Sequence, residues 1–361
     1  MDRRSFFRGA GLATVAAAAS GLAAPAISQG RKELRLAMPW ARDFPGLGTG
    51  AQRLAERINN MTDGRYTVAI YAAGELVPAL QEFAAVSDGR ADMYHAPDYY
   101  YASVNPALSF FTNAPLGLTA TEHSAWIDFG GGQELWDELS GQYGIKPFLI
   151  GHTGTQLGGW FKRPVTGLAD LQGLNFRMPG IGGQVWAALG MNIVALPASG
   201  ILAALEAGTL DGADWVGPWN DLSLGLYQAA PHVYYPTLAE GTGAVAVGLS
   251  RSVWEGMSGA DRAAFRAVFQ AETSAMLSDY TINNARSLAA LRTDHQIVPE
   301  PFPADVLARI AEVAPAIAAA SAADDLGRRI HDAYYGARDL MRPWSAIAEG
   351  QFIASRASLL G

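Results

Sequence analysis

The 361-residue chain contains no cysteine. That excludes disulfides, zinc–thiolate centres, iron–sulfur clusters and cysteine nucleophiles. Charge is sparse as well. Charged side chains make up 17% of the residues, and the formal net charge is -8. An acidic chain has no electrostatic reason to bind nucleic acid or anionic lipid. A site for an anion must then be a local positive spot. His95, His123, His152, His232, His295 and His331 include no pair at metal spacing such as i, i+4. There is no Gly-x-Ser-x-Gly element and no phosphate loop. Gly46-Leu47-Gly48-Thr49-Gly50 lacks the lysine of such a loop and reads as a turn that opens a helix.

What is present begins with an address. Met1-Asp2-Arg3-Arg4-Ser5-Phe6-Phe7-Arg8 is followed by a short run rich in Ala and Gly, from Gly9 to about Ala24. Ala24-Pro25-Ala26 and Ala26-Ile27-Ser28 both have the small-x-small form of a cleavage site. A basic start, a short apolar run and a small-residue exit describe a secretory signal. Residues 1–28 are therefore read as a signal peptide. Arg3-Arg4-Ser5-Phe6-Phe7 resembles the twin-arginine export signal, which a receptor reads. The alternative is an amphipathic helix, but no charge follows Arg8 in this segment to form a polar face. Cleavage near residue 28 removes one acidic and three basic residues and leaves the remainder more acidic still. No later run of 18 apolar residues follows, so the expectation is a soluble, exported, periplasmic protein.

Half of the residues are hydrophobic, and the length suits two domains or one large one. Glu33–Met38, Tyr66–Tyr71 and Ala91–His95 read as strands, with helices at Ala51–Met61 and Val77–Gly89 between them. The alternation recurs. Strands are expected at 144–150, 155–161, Asn175–Met178, Asn192–Ala195 and Ala213–Val216. A helical turn at Leu168–Gly173 and helices at Gly183–Leu189 and Ser199–Ala207 lie among them. Ala244–Leu249 is a further strand. Beyond it the chain is helical, at Ala260–Leu291, Pro303–Ala323 and Asp325–Leu340. The expected fold is α/β: two lobes joined by short crossing strands, with a hinge cleft and a helical C-terminal tail. Lobe I takes residues 29–152 with part of 240–280. Lobe II takes 153–239 with part of 281–324. Residues 325–361 form the tail, which could also pack back on its own lobes.

Asp170-Leu171-Gln172-Gly173-Leu174-Asn175-Phe176-Arg177-Met178-Pro179-Gly180 resembles the signature of the DctP family, the extracytoplasmic binding subunits of TRAP transporters. Ala204-Leu205-Glu206-Ala207-Gly208-Thr209-Leu210-Asp211-Gly212-Ala213 is similar to a second family element, in the family's order and spacing. The likeness covers nearly the whole mature chain. Gly151–Phe161, Trp215-Val216-Gly217-Pro218-Trp219-Asn220-Asp221 and Gly131–Trp136 resemble the α-keto acid-binding branch. The resemblance implies a two-lobed periplasmic binding protein with its ligand in the cleft. It also implies a long C-terminal helix that can be exchanged in a homodimer.

Arg177 ends a strand just before Pro179-Gly180. A guanidinium offers parallel N–H donors that match both oxygens of a carboxylate. A lone strand-end Arg is more often a surface ion pair, but the resemblance makes this one the family's carboxylate clamp. The resemblance also implies a metal held by Gln156, Asp214, the Trp215 carbonyl and Glu240. These donors are all oxygens, which suits a hard cation such as sodium or calcium. In that branch the matching position carries Glu where this chain has Asp214, one methylene shorter. The alternative makes Asp214 and Glu240 hinge hydrogen-bonders with no metal. Among Tyr99-Tyr100-Tyr101, at most two rings can face the cleft, and Tyr101 and Trp215 are the chosen ligand contacts. Gln156 and Asn220 are further polar contacts; for Asn220 a helix N-cap is the equal alternative.

The leading function is capture of a small 2-oxo or 2-hydroxy monocarboxylate for TRAP membrane subunits. The second is a ligand-binding protein that reports to a membrane sensor. The third is a periplasmic enzyme, which would need a nucleophile–base pair or redox site that the sequence does not offer. The protein is therefore expected not to be an enzyme.

Overall fold

The computed structural model describes residues 30–360. The expected signal peptide at 1–28 lies outside the described residues. Among the described residues, eleven strands form two sheets. The first sheet runs in the order Tyr66–Tyr71, Lys32–Ala37, Met93–Ala96, Ala244–Ser250, Ile145–His152. Its first three strands are parallel. Ala244–Ser250 returns much later in the chain and pairs antiparallel with both neighbours. The second sheet runs Glu300–Pro301, His232–Tyr235, Gly159–Phe161, Gly212–Ala213, Asn175–Arg177, Asn192–Val194. Helices cover the sheets, as the alternating apolar runs require. We call the two layered units lobe I and lobe II.

The chain passes from the first sheet to the second through residues 153–158 and returns through 236–243. The two crossings are tied together, since Thr153 N–H donates to the Gly243 carbonyl at 2.9 Å. Gly243 has no room for a side chain. A Cβ there would lie 2.5 Å from Gln156 Nε2 and 2.7 Å from Thr153 Oγ1. Beside the crossings lies one helix of 36 residues, Gly259–Asp294, about 54 Å long. Ser258 caps its first turn. It packs on the Ile145–His152 strand and the Leu47–Met61 helix of lobe I, and on the Pro218–Leu224 helix of lobe II. Buried Glu272 anchors it to Arg53 and Arg57, each at 2.8 Å.

Some elements are shorter than their patterns suggest. The expected helix at Val77–Gly89 is helical only over Glu82–Ser87, because Pro78 and Leu80, at φ +71°, break the segment before it. The expected strand Ala213–Val216 pairs only over Gly212–Ala213. Past that point both backbone polar groups of Asp214 bond to Arg177.

The tail divides into two parts. Asp325–Ser345 is a helix capped by Asp324. It lays Ile330 and Tyr334 on lobe I, where the Tyr334 hydroxyl accepts from Leu118 N–H at 3.0 Å. From Ala346 to Leu360 nothing is buried. Leu340, Trp344, Ile347, Phe352, Leu359 and Leu360 are large apolar side chains left in solvent. Among the described residues, no helix is long and apolar enough to cross a membrane.

Candidate functional site

The strand Asn175–Arg177 runs parallel to Gly212–Ala213, with Arg177 paired to Ala213. Both strands end at the cleft, where parallel α/β sheets present their binding groups. This register places Arg177 beside Asp214. Asp214 N–H donates to the Arg177 carbonyl at 2.9 Å, and Arg177 Nη1 donates back to the Asp214 carbonyl at 2.7 Å. Arg177 Nε donates to the Leu196 carbonyl at 3.0 Å. The guanidinium lies over the Trp215 indole, 4.8 Å from its centroid, a cation–π contact that replaces part of the lost hydration. Two backbone carbonyls and one ring therefore fix a guanidinium that is only 1% exposed, and the two carbonyls engage Nε and Nη1, not Nη2.

Opposite this charge the crossings supply acceptors. Gln156 comes from the first and Glu240 from the second. Gln156 Nε2 donates to Thr153 Oγ1 at 3.0 Å, which turns its carbonyl oxygen inward. Gln156 Oε1, Asp214 Oδ2 and both Glu240 oxygens are buried and have no hydrogen-bond partner among the described residues. Bare buried acceptors are costly. Burial raises the Asp214 carboxyl to about 7, with Arg177 pulling the other way and Asp221 adding to the rise. Burial raises Glu240 well above the usual carboxylate range, and Asp214 pushes it further. A cation would reverse both shifts. Four oxygen acceptors without donors fit a hard ion such as sodium or calcium, and soft ligands are absent from the set.

The cavity beside these groups measures about 20 Å³, and of them only Gln156 and Trp215 line it; it has room for about one water. Trp40, Leu47, Pro97, Tyr99 and Tyr100 wall it from lobe I, and Trp215 and Val216 from lobe II. A three-carbon acid is larger than this, so entry requires the lobes to part.

The structure brings together Arg177, Gln156, Asp214, Trp215 and Glu240. It does not bring Tyr101 to them. Residues Asp98–Tyr101 form a 3-10 turn, which sends successive side chains in different directions. Tyr101 points into the lobe I core, packs on Phe83 and Tyr94, and donates to Glu82 at 3.2 Å. Tyr99 and Tyr100 face the cleft instead, and the charge and hydrogen bond of Arg177 oppose the effect of burial on the Tyr100 phenol. Asn220 does not line the cavity. It is not an N-cap either, since Gly217 holds that position in the Pro218–Leu224 helix. Asn113, facing Glu240, and Thr153 carry no sequence signal and were not anticipated.

Residues 37–324 match the family model described as bacterial extracellular solute-binding protein, family 7. A monocarboxylate 2-oxoacid-binding periplasmic protein of Nostoc is 37% identical over 257 residues, 71% of this chain and 70% of its own. A TRAP transporter solute-binding protein of Bordetella bronchiseptica superposes with a TM-score of 0.89 at 30% identity, covering 91% of this chain and 98% of its own; its structure is a mixed-occupancy dimer with calcium and picolinate in the bound site. A TRAP periplasmic solute-binding protein of Pseudoalteromonas atlantica, with bound sodium and pyruvate, gives 0.87 at 31% identity over 90% of this chain and 99% of its own. The α/β two-lobed architecture is theirs. On the family match and these likenesses, the chain belongs to the DctP family of bacterial extracellular solute-binding proteins, the binding components of TRAP transporters.

Proposed function

We propose that this protein captures a small 2-oxo or 2-hydroxy monocarboxylate in the periplasm and delivers it to TRAP membrane subunits, without chemical turnover. One observation carries the reading. A buried Arg177 faces four buried oxygen acceptors that lack donors. A ligand with a carboxylate and an adjacent oxygen answers both halves: Arg177 takes the carboxylate, and a sodium or calcium ion joins the ligand's oxygens to Gln156, Asp214, the Trp215 carbonyl and Glu240. Relatives with bound pyruvate and sodium, or picolinate and calcium, support this pairing. Trp215, Tyr99 and Tyr100 form the wall beside the ligand. Export through the twin-arginine-like segment at 1–28 supplies the location. Closure around an anion is favoured because an unpaired guanidinium would be costly in the closed cleft.

A thermal-shift screen of keto and hydroxy acids, with and without sodium and calcium, tests this by mass action. The expected result is stabilisation by a monocarboxylate that grows when the cation is added. No stabilisation by any carboxylate sinks the reading. Arg177→Ala should weaken binding of the best ligand by about 2–5 kcal/mol.

The stripe from Leu340 to Leu360 is the proposed homodimer element. Contiguous exposed apolar surface of this kind marks an interaction site. Sedimentation of the intact chain should give a dimer, and a chain ending at Ser345 should give a monomer. An intact chain that sediments as a monomer at micromolar concentration rules the dimer out.

A further inference from the structure

Asn220, buried at 0% exposure, sits in a slot outside the ligand cavity. Its Nδ2 donates to the Pro45 carbonyl of lobe I at 2.8 Å. Its Oδ1 accepts from the Tyr280 hydroxyl at 2.7 Å. The slot exists because of the glycine-rich turn that follows Pro45. Gly46 has φ +74°, and a Cβ there would meet the Tyr280 ring at 2.5 Å. A Cβ at Gly48 would meet the Ala41 and Arg42 carbonyls at 2.4 Å, and one at Gly50 the Met276 methyl at 2.9 Å. Only a bare backbone lets this turn lie against the Gly259–Asp294 helix and present the Pro45 carbonyl to lobe II.

The same turn is the lobe I rim of the cavity. Leu47 and Trp40 line the cavity, and the Phe44 ring meets the Trp215 ring edge-on at 6.1 Å. On the lobe II side, Trp219 packs on Tyr280 at 5.1 Å, and its N–H donates to Asn284 at 3.0 Å. Among the described residues of the Pro218–Leu224 helix, the Asn220 amide is the group that donates to the rim carbonyl. The Pro45 carbonyl can only accept, so it takes the Nδ2 end of the amide and leaves Oδ1 to the Tyr280 hydroxyl, which holds it from the other side.

We propose that Asn220 is the closure latch of the cleft, oriented by Tyr280 as a positioning residue, and that it sets how long a ligand is held without touching it. The inference rests on the binding function proposed above. Opening must break the bond from Asn220 to Pro45 while leaving the Arg177 clamp intact within lobe II.

The test is stopped-flow binding of pyruvate and of lactate to the wild type and to Asn220→Asp. Aspartate keeps the shape and still accepts from Tyr280, but it sets an acceptor against the Pro45 carbonyl. The expected result is an off-rate raised about 10- to 100-fold with the on-rate within about twofold. The factor should be equal for the two acids, and the melting temperature of the ligand-free protein should barely move. Unequal factors mean that Asn220 touches the ligand and overturn the latch. A ligand-free protein destabilised as much as the bound one makes the contact a permanent hinge pin, and also overturns it. Tyr280→Phe, which removes one hydroxyl, carries the same test with a smaller off-rate increase should the aspartate variant not fold. If the wild type binds neither acid, the functional reading fails. A dye pair with one dye on each lobe then still decides the latch: Asn220→Asp must lower the closed fraction, and an unchanged fraction refutes the proposal.

Discussion

Asp98 in the lobe I core and Asp214 in the cleft are both buried carboxyls, and burial raises each to about 7. Their surroundings differ. Asp98 accepts from the Tyr94 hydroxyl at 2.8 Å and the Trp136 indole at 2.7 Å. Asp221, seven residues beyond Asp214, is similarly enclosed by the Trp160 indole at 2.7 Å and the Val216 and Gly217 amides at 3.1 Å. Asp214 Oδ2 and both oxygens of Glu240 make no close hydrogen bond, with the Asn113 amide alone facing Glu240. A fold that supplies donors to two of its buried aspartates is able to supply them. Where it does not, the missing partner comes from outside the chain. The enclosed carboxyls belong to the architecture, and the bare ones to the ligand.

The largest expected effect separates the two classes by stability. Asp98→Ala leaves the Tyr94 hydroxyl and the Trp136 N–H buried and unpaired, so folding stability should fall by about 2–5 kcal/mol. The folded fraction should keep its ligand affinity, because the Asp98 side chain points to Tyr94 and Trp136 in the core and does not line the cavity. Urea denaturation read beside a binding titration checks both. An affinity that falls along with stability would mean that the lobe I core and the cleft are energetically coupled, and the comparison would break.

The two classes were not equally legible in the sequence. Arg177 was visible, because a strand end followed by Pro179-Gly180 fixes where its side chain emerges and the surrounding run resembles a family signature. Gln156, Asp214 and Glu240 were reachable only through that likeness. They lie 58 and 26 residues apart, and only the pairing of the two crossings brings them together. The tyrosine triplet shows a different limit. Alternation along a strand would send Tyr99 and Tyr101 the same way, but a 3-10 turn puts Tyr99 and Tyr100 at the cleft and Tyr101 in the core. Apolar pattern cannot choose between these, since all three rings are amphipathic. Asn220 was singled out for its place beside the cleft strand. Its actual partners, Pro45 and Tyr280, are 175 and 60 residues away, a separation at which no local pattern carries information.

The smallest expected change in folding stability comes from Glu240→Gln, and its sign sharpens the comparison. Glu240 makes no close hydrogen bond and has only the Asn113 amide facing it, so an amide of the same shape should leave the ligand-free protein within about 1 kcal/mol of the wild type, where Asp98→Ala is costly. The loss should appear in the cation. Calcium binds the ionised carboxylates, and protons compete for them. With Asp214 raised to about 7 by burial and Glu240 raised well above its usual range, the wild-type calcium affinity should climb as pH rises from 5 through 7, where Asp214 releases its proton, and continue to climb until Glu240 has released its own. The climb should be up to about tenfold per pH unit for each proton released. The folded-state stability contributed by these two raised carboxyls runs the other way. It is full below the unfolded value near 4 and is lost as pH rises toward 7, so calcium restores most where the bare protein has lost most. Glu240→Gln should flatten the calcium profile to what Asp214 alone supplies and weaken the calcium-dependent part of ligand binding. Calorimetric calcium titrations at pH 5, 6, 7 and 8 give the slope directly. A calcium affinity independent of pH in the wild type would mean that these carboxylates hold no cation. Asp214 and Glu240 would then be hinge groups, and their missing donors would have to come from the ligand itself.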